Sequence, residues 1–127
     1  MKYRGSCHCN AVTFEVDCPE EIEVEDCNCS ICSKAGFLHL IVPKNKFKLL
    51  TGIQQLVTYT FNTGVAKHTF CKVCGNKPFY IPRSNPDGVD INVRCLDEKP
   101  KSIKVVKFDG LNWEDNAAKL KHKSSEL

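Results

Sequence analysis

The sequence predicts a mainly β fold: one mostly antiparallel domain with a short C-terminal helix. Three observations carry that expectation. Strand-length segments of alternating apolar and polar residues recur along the chain, turn-forming residues punctuate them, and one stretch near the C-terminus has the charge order of a helix. The 127 residues fit one domain, and a hydrophobic content of 42% with 26% charged residues is that of an ordinary globular protein. A domain of this size buries enough surface to fold without cross-links.

In AVTFEV, Val12, Phe14 and Val16 alternate with Thr13 and Glu15, so one face packs and the other meets water. EIEVED repeats the pattern more weakly, and LHLIVP, Leu38 to Pro43, is a short and nearly continuous apolar strand. TYTF and VAKHTF flank Asn62-Thr63-Gly64, which predicts a three-residue hairpin turn. FYIP, VDINVR and SIKVVKF supply further strands, and PRSNPDG, with two prolines and Gly88, is a loop. WEDNAAKLKHK, with acids early and lysines late, is the expected helix. Its basic end, AAKLKHKSSEL, reads as solvated.

A net charge of +3, from 18 Lys and Arg dispersed among 15 Asp and Glu, gives no argument for nucleic-acid binding. No run of 18 apolar residues suggests a membrane span, and no apolar stretch follows the basic residues of MKYRGSCHCN to make a secretory signal. A soluble, cytoplasmic protein is expected. In that reducing compartment nine cysteines point to metal or catalysis rather than to disulfides.

Seven of the nine fall into three clusters: CHC (Cys7, Cys9), CNCSIC (Cys27, Cys29, Cys32) and CKVC (Cys71, Cys74). Cys18 and Cys95 stand alone and read as small buried hydrophobes. CKVCG has the form of a zinc knuckle, in which two thiolates converge on one ion and Gly75 permits a turn with positive φ. A redox reading needs a helix after the pair, and Gly75-Asn76-Lys77-Pro78 is poor helix sequence. A structural zinc takes four ligands; Cys7 and Cys9 can complete the set, and on that division Cys27, Cys29 and Cys32 remain.

Three protein ligands with a vacant fourth position is the pattern of a catalytic zinc. The same counts also allow a closed second site, its last ligand drawn from His8, His39, His68, Cys95 or Cys18. They equally allow a site joining Cys7 and Cys9 to Cys27 and Cys29. His39, in an apolar strand, reads as a satisfied core residue, and His8 as pointing away from its flanking cysteines. His68, three residues before Cys71, is placed to hydrogen-bond a sulfur or a substrate. Three thiolates leave a zinc electron-rich and poorly suited to making hydroxide, so capture of an incoming thiol is the better-matched chemistry.

The order GSCHC, CNCSIC, HTFCKVCG resembles the glutathione-dependent formaldehyde-activating enzyme family, over Tyr3 to Trp113. Within it the chain is most similar to the centromere protein V branch, at IVP, FKLLTG, TYTFNT, FYIPRSNP and CLDE. The resemblance implies a tent-like antiparallel β-sheet fold with two zincs per chain, a structural one on Cys7, Cys9, Cys71 and Cys74 and a catalytic one on Cys27, Cys29 and Cys32. It implies a carbon–sulfur lyase that adds glutathione to formaldehyde reversibly, giving S-hydroxymethylglutathione. A zinc-binding β domain over 1–115 with a basic tail or short helix over 116–127 follows. Glutathione carries two carboxylates, for which Lys34, Lys44, Lys46 and Arg83 are the candidate partners. The alternative, from another class, is a non-catalytic zinc-stabilised module that binds protein or nucleic acid.

Overall fold

The computed structural model describes residues 1–125, so the expected 116–127 segment runs two residues beyond the described part. Ten strands form three sheets. A three-stranded sheet has the order β1 (Lys2–Ser6), β2 (Thr13–Asp17), β5 (Phe47–Thr51). A five-stranded sheet runs β10 (Ser102–Phe108), β3 (Glu21–Cys27), β4 (Leu38–Pro43), β9 (Gly88–Asn92), β8 (Phe79–Tyr80), and β6 (Leu56–Tyr59) pairs with β7 (His68–Cys71).

The alternation in the sequence decides which faces meet. Val12, Phe14 and Val16 are fully buried, and the ring of Phe14 packs 5.8 Å from those of both Phe47 and Phe79, joining the two larger sheets in one core. β9 is buried along its whole length between β4 and β8, which explains the apolar run of VDINV.

Every pairing is antiparallel except one. β10 runs parallel to β3 in register from Ser102 opposite Glu21 to Phe108 opposite Cys27. The hairpin of β6 and β7 is also looser than the three-residue turn expected. Tyr59 pairs with His68, leaving residues 60–67 as the connection. Asn62 and Gly64 do take positive φ, but Phe61 stacks on His68 at 5.3 Å and Lys67 bridges to Ile81 of the neighbouring strand end, so neither flank extends the ladder.

Two helical segments matter for function. α1 (Ser30–Ala35) lies inside the central cysteine cluster, where six residues are too few to show an apolar period. At the C-terminus the predicted helix is one α turn, α2 (Trp113–Asn116), followed by a 3₁₀ run, Ala117–Ser124. This segment is docked, not solvated. Asn85, fully buried, donates through Nδ2 to the carbonyls of Leu120 (2.9 Å) and Lys121 (3.3 Å) and to Ser124 Oγ (2.9 Å), and Ser124 in turn donates to Asp87 (2.6 Å). No described helix is long and apolar enough to cross a membrane.

Candidate functional site

The first cluster forms where a turn after β1 meets the end of β7. Cys7 donates its N–H to the Val12 carbonyl across the turn, the Val12 amide donates to Cys7 Sγ at 3.4 Å, and Asn10 takes φ 65° to bring Cys9 round. Cys71 closes β7, and Gly75 at φ 76° donates its N–H to the Cys71 carbonyl, folding Cys74 back. The four Sγ atoms lie within 4.8 Å of one another, with Cys7–Cys9 and Cys9–Cys71 both at 3.7 Å. Four sulfurs about 2.3 Å from a tetrahedral zinc stand about 3.8 Å apart, so this set fits a metal as it stands. The Asn76 amide pulls the Cys74 thiol down to about 6, which favours the ligating thiolate. The pairing that spacing left open is therefore Cys7 and Cys9 with Cys71 and Cys74.

The second cluster lies on the other side of the five-stranded sheet. Cys27 ends β3, Cys29 caps α1 with its Sγ accepting from Cys32 N at 3.4 Å, and Cys32 sits within α1. The Cys29 thiol is pulled down to about 2 by the Cys27 and Cys32 side chains, helped by the amides of Cys32 and Ile31. Cys27 is pushed up to about 11, first by Cys29, and Cys32 is raised by both neighbours. Gly110 closes over them: a Cβ there would collide with Cys27 Sγ and come within 2.9 Å of Cys29 Cβ.

These sulfurs open onto a cavity of about 400 Å³. Phe61, Tyr80, Trp113 and Leu120 give it apolar walls, and His39, His68, Glu25 and Asp90 supply polar ones. His39 is 4% exposed, and its Nδ1 is 2.6 Å from Asp90 Oδ2. Burial pulls the His39 ring down, but the Asp90 carboxylate outweighs it and raises it. One ring nitrogen of His39 and the sulfurs of Cys27 and Cys32 lie within 4.8 Å of one another, a second group that could hold a metal ion. Among the described residues three buried side-chain polar atoms lack a partner, Glu25 Oε2, His39 Nε2 and Asp90 Oδ1, and all three residues line this cavity.

His68, buried, stacks on Tyr80 at 4.9 Å, and its Nδ1 accepts from Lys77 Nζ at 2.7 Å. Burial and the Lys77 charge pull His68 down to about 4, so the ring is neutral. It lines the cavity, as the sequence allowed, whereas His8 is exposed. Of the four candidate cations Arg83 alone lines the cavity; its guanidinium lies 3.8 Å over the Trp113 ring and 2.7 Å from Glu114. Lys34 borders a separate small hollow, and Lys44 and Lys46 lie on a 3₁₀ turn before β5. Cys18 is buried as expected, and Cys95 donates to Asn76 Oδ1 at 3.3 Å.

Sequence reasoning missed Asp90, Glu25 and the C-terminal wall. Each of these side chains owes its position to strand pairing or docking, and the one local signal was a charged residue inside an otherwise apolar strand: Asp90 in VDINV. His39 gave the same signal and is buried as expected, but only one of its nitrogens is satisfied.

The chain resembles a crystal structure of a Rhodobacter sphaeroides protein at 30% sequence identity and a TM-score of 0.71, over 81% of this chain and 99% of that one. The model of one protein family matches residues 2–108, which carry all seven clustered cysteines. The chain belongs to the glutathione-dependent formaldehyde-activating enzyme family.

Proposed function

We propose that the protein is a zinc-dependent carbon–sulfur lyase of the cytoplasm, making and breaking S-hydroxymethylglutathione. Cys7, Cys9, Cys71 and Cys74 hold a structural zinc, and Cys27, Cys29 and Cys32 hold a catalytic one. The observation that carries this reading is the coincidence of three mutually interacting thiols with a cavity whose walls contain every unpartnered buried polar side-chain atom among the described residues. The family's name supplies the substrates, glutathione and formaldehyde.

A zinc bound by these sulfurs supplies the positive charge that keeps a coordinated thiol ionised. Cys27, Cys29 and Cys32 would hold that ion and would leave room beside it for a substrate thiol. The chain's own residues do the rest. Phe61, Trp113 and Leu120 give the cavity an apolar wall, and the 400 Å³ volume suits a small peptide thiol. Arg83, released from Glu114, offers a planar pair of donors to a substrate carboxylate. In the forward direction the sulfur forms a bond to the formaldehyde carbon, the carbonyl π pair moves to oxygen, and the thiol proton ends on that oxygen. The reverse reaction breaks the same C–S bond, and no electrons leave the pair of reactants.

Exchange between free and adducted formaldehyde, followed by NMR with glutathione and the zinc-loaded protein, tests the proposal. Acceleration over the spontaneous reaction is expected. A rate equal to the protein-free control defeats it and leaves a non-catalytic zinc module.

A further inference from the structure

The strongest unexplained feature near the cysteines is a histidine with one nitrogen provided for and the other left over. His39 sits on β4, 4% exposed, and the adjacent strand β9 brings Asp90, 1% exposed, against its Nδ1 at 2.6 Å. Tyr80 OH adds a second contact to the same nitrogen at 3.4 Å. Nε2 has no partner and no access to bulk solvent. A core histidine retained only for packing satisfies both nitrogens, because an orphaned buried acceptor costs about 1–3 kcal/mol. This one instead lines the cavity into which Cys27 and Cys32 open, and its ring is within 4.8 Å of both sulfurs.

We propose that His39, through Nε2, is a protein ligand of the metal held by Cys27, Cys29 and Cys32, with Asp90 as the residue that positions it. The inference rests on the metal-site reading above and changes its resting state. Asp90 accepts a hydrogen bond from the His39 Nδ1–H, which leaves the lone pair on Nε2 and fixes the ring plane; a carboxylate behind a ligating imidazole is how metal-bound histidines are oriented. A zinc at about 2.3 Å from sulfur and about 2.0 Å from nitrogen needs a sulfur–nitrogen separation of about 3.5 Å, and the His39 ring nitrogen already lies within 4.8 Å of the Cys27 and Cys32 sulfurs, with Cys29 outside that group. The consequence is a centre that is closed at rest. A neutral imidazole there would leave the charge of the three-thiolate set unchanged, and an incoming thiol would have to displace it.

X-ray absorption of the zinc-loaded wild type and of His39→Gln provides the test, with zinc content measured on the same samples. Two zincs per chain and an outer-shell imidazole signal of about half a histidine per zinc are expected in the wild type. Loss of that signal in His39→Gln, and its retention in His68→Phe, is the expected pattern. Asp90→Asn should weaken one of the two zincs by about 10–100-fold in chelator competition. An imidazole signal unchanged in His39→Gln, with two zincs present, overturns the ligand assignment and leaves the metal-site reading standing. Fewer than two zincs in the wild type overturns both. If His39→Gln does not fold, the wild type decides: two zincs with no imidazole signal rule the assignment out.

Discussion

The ammonium of Lys123, near the end of the described chain, pairs with the buried carboxylate of Glu25 on β3. Lys123 is thereby an internal residue, its side chain 16% exposed, and the C-terminal segment forms part of the cavity wall through Leu120. The family match ends at residue 108, so this wall lies outside it.

Burial raises the Glu25 carboxyl, and Lys123 holds it back. Lys123→Met therefore strands a buried charge and should lower stability by about 2 kcal/mol at neutral pH, less than for a fully buried pair because Lys123 retains some exposure. The sign with pH is fixed: without Lys123 the folded pKa rises further, so the deficit grows as pH climbs through it and shrinks in acid as Glu25 protonates. Urea midpoints at pH 5 and pH 8 check this, and adding Glu25→Gln should recover most of the loss.

Gly110→Ala places a methyl group against Cys27 Sγ and the backbone of Cys29. Both are anchored, Cys27 in the β3–β10 ladder and Cys29 at the cap of α1, so the sulfurs must move apart. Zinc content is expected to fall from about two to about one per chain, with circular dichroism unchanged.

Cys74→Ser and Cys32→Ser should differ in kind. The first opens the site that ties the turn after β1 to the end of β7, and should cost most of the roughly 5–15 kcal/mol available to a domain. The second should leave a folded chain that no longer accelerates exchange. Thermal melts and the exchange assay, run on both, decide; equal melting losses would point to two structural ions.

Arg83→Gln removes the one lysine or arginine among the described residues lining the cavity. Since Arg83 must first leave Glu114, the loss should be moderate, about tenfold in KM for glutathione with kcat changed less than about threefold. An unaltered KM would place the carboxylates elsewhere.

His68 is held neutral with its pKa down at about 4, against about 6.5 in an unfolded chain. Between these values the unfolded state binds the extra proton, so stability is full above about pH 6.5 and falls as pH drops toward 4. His68→Phe keeps a ring for the Tyr80 stack and removes this term. The wild type should lose on the order of 2 kcal/mol more than the variant between pH 7 and pH 4.5; the difference between the two chains is the readout, because acid also protonates the cysteines in both.

Strand positions were legible because their signal is local. LHLIVP becomes β4 with the predicted bounds, and the alternation of Val12, Phe14 and Val16 becomes a buried face of the core. The three thiol clusters were legible for the same reason, since ligands two residues apart converge on an ion through one turn of backbone. The α1 helix was not, because six residues do not make a period and its cap is a cysteine sulfur. The loose hairpin escaped because Phe61 and Lys67 prefer partners from elsewhere in the chain.

The amino-acid order by itself thus determined a β domain with seven clustered sulfurs, and through their pattern the family. Tertiary structure alone decided which clusters meet, that β10 lies parallel to β3, that Asp90 stands behind His39, and that the basic tail walls the cavity. Periodicity and ligand spacing act over a few residues of one segment. Sheet register and docking bring together atoms 51 and 98 positions apart, as for His39 with Asp90 and Glu25 with Lys123, and no short window of sequence contains both partners.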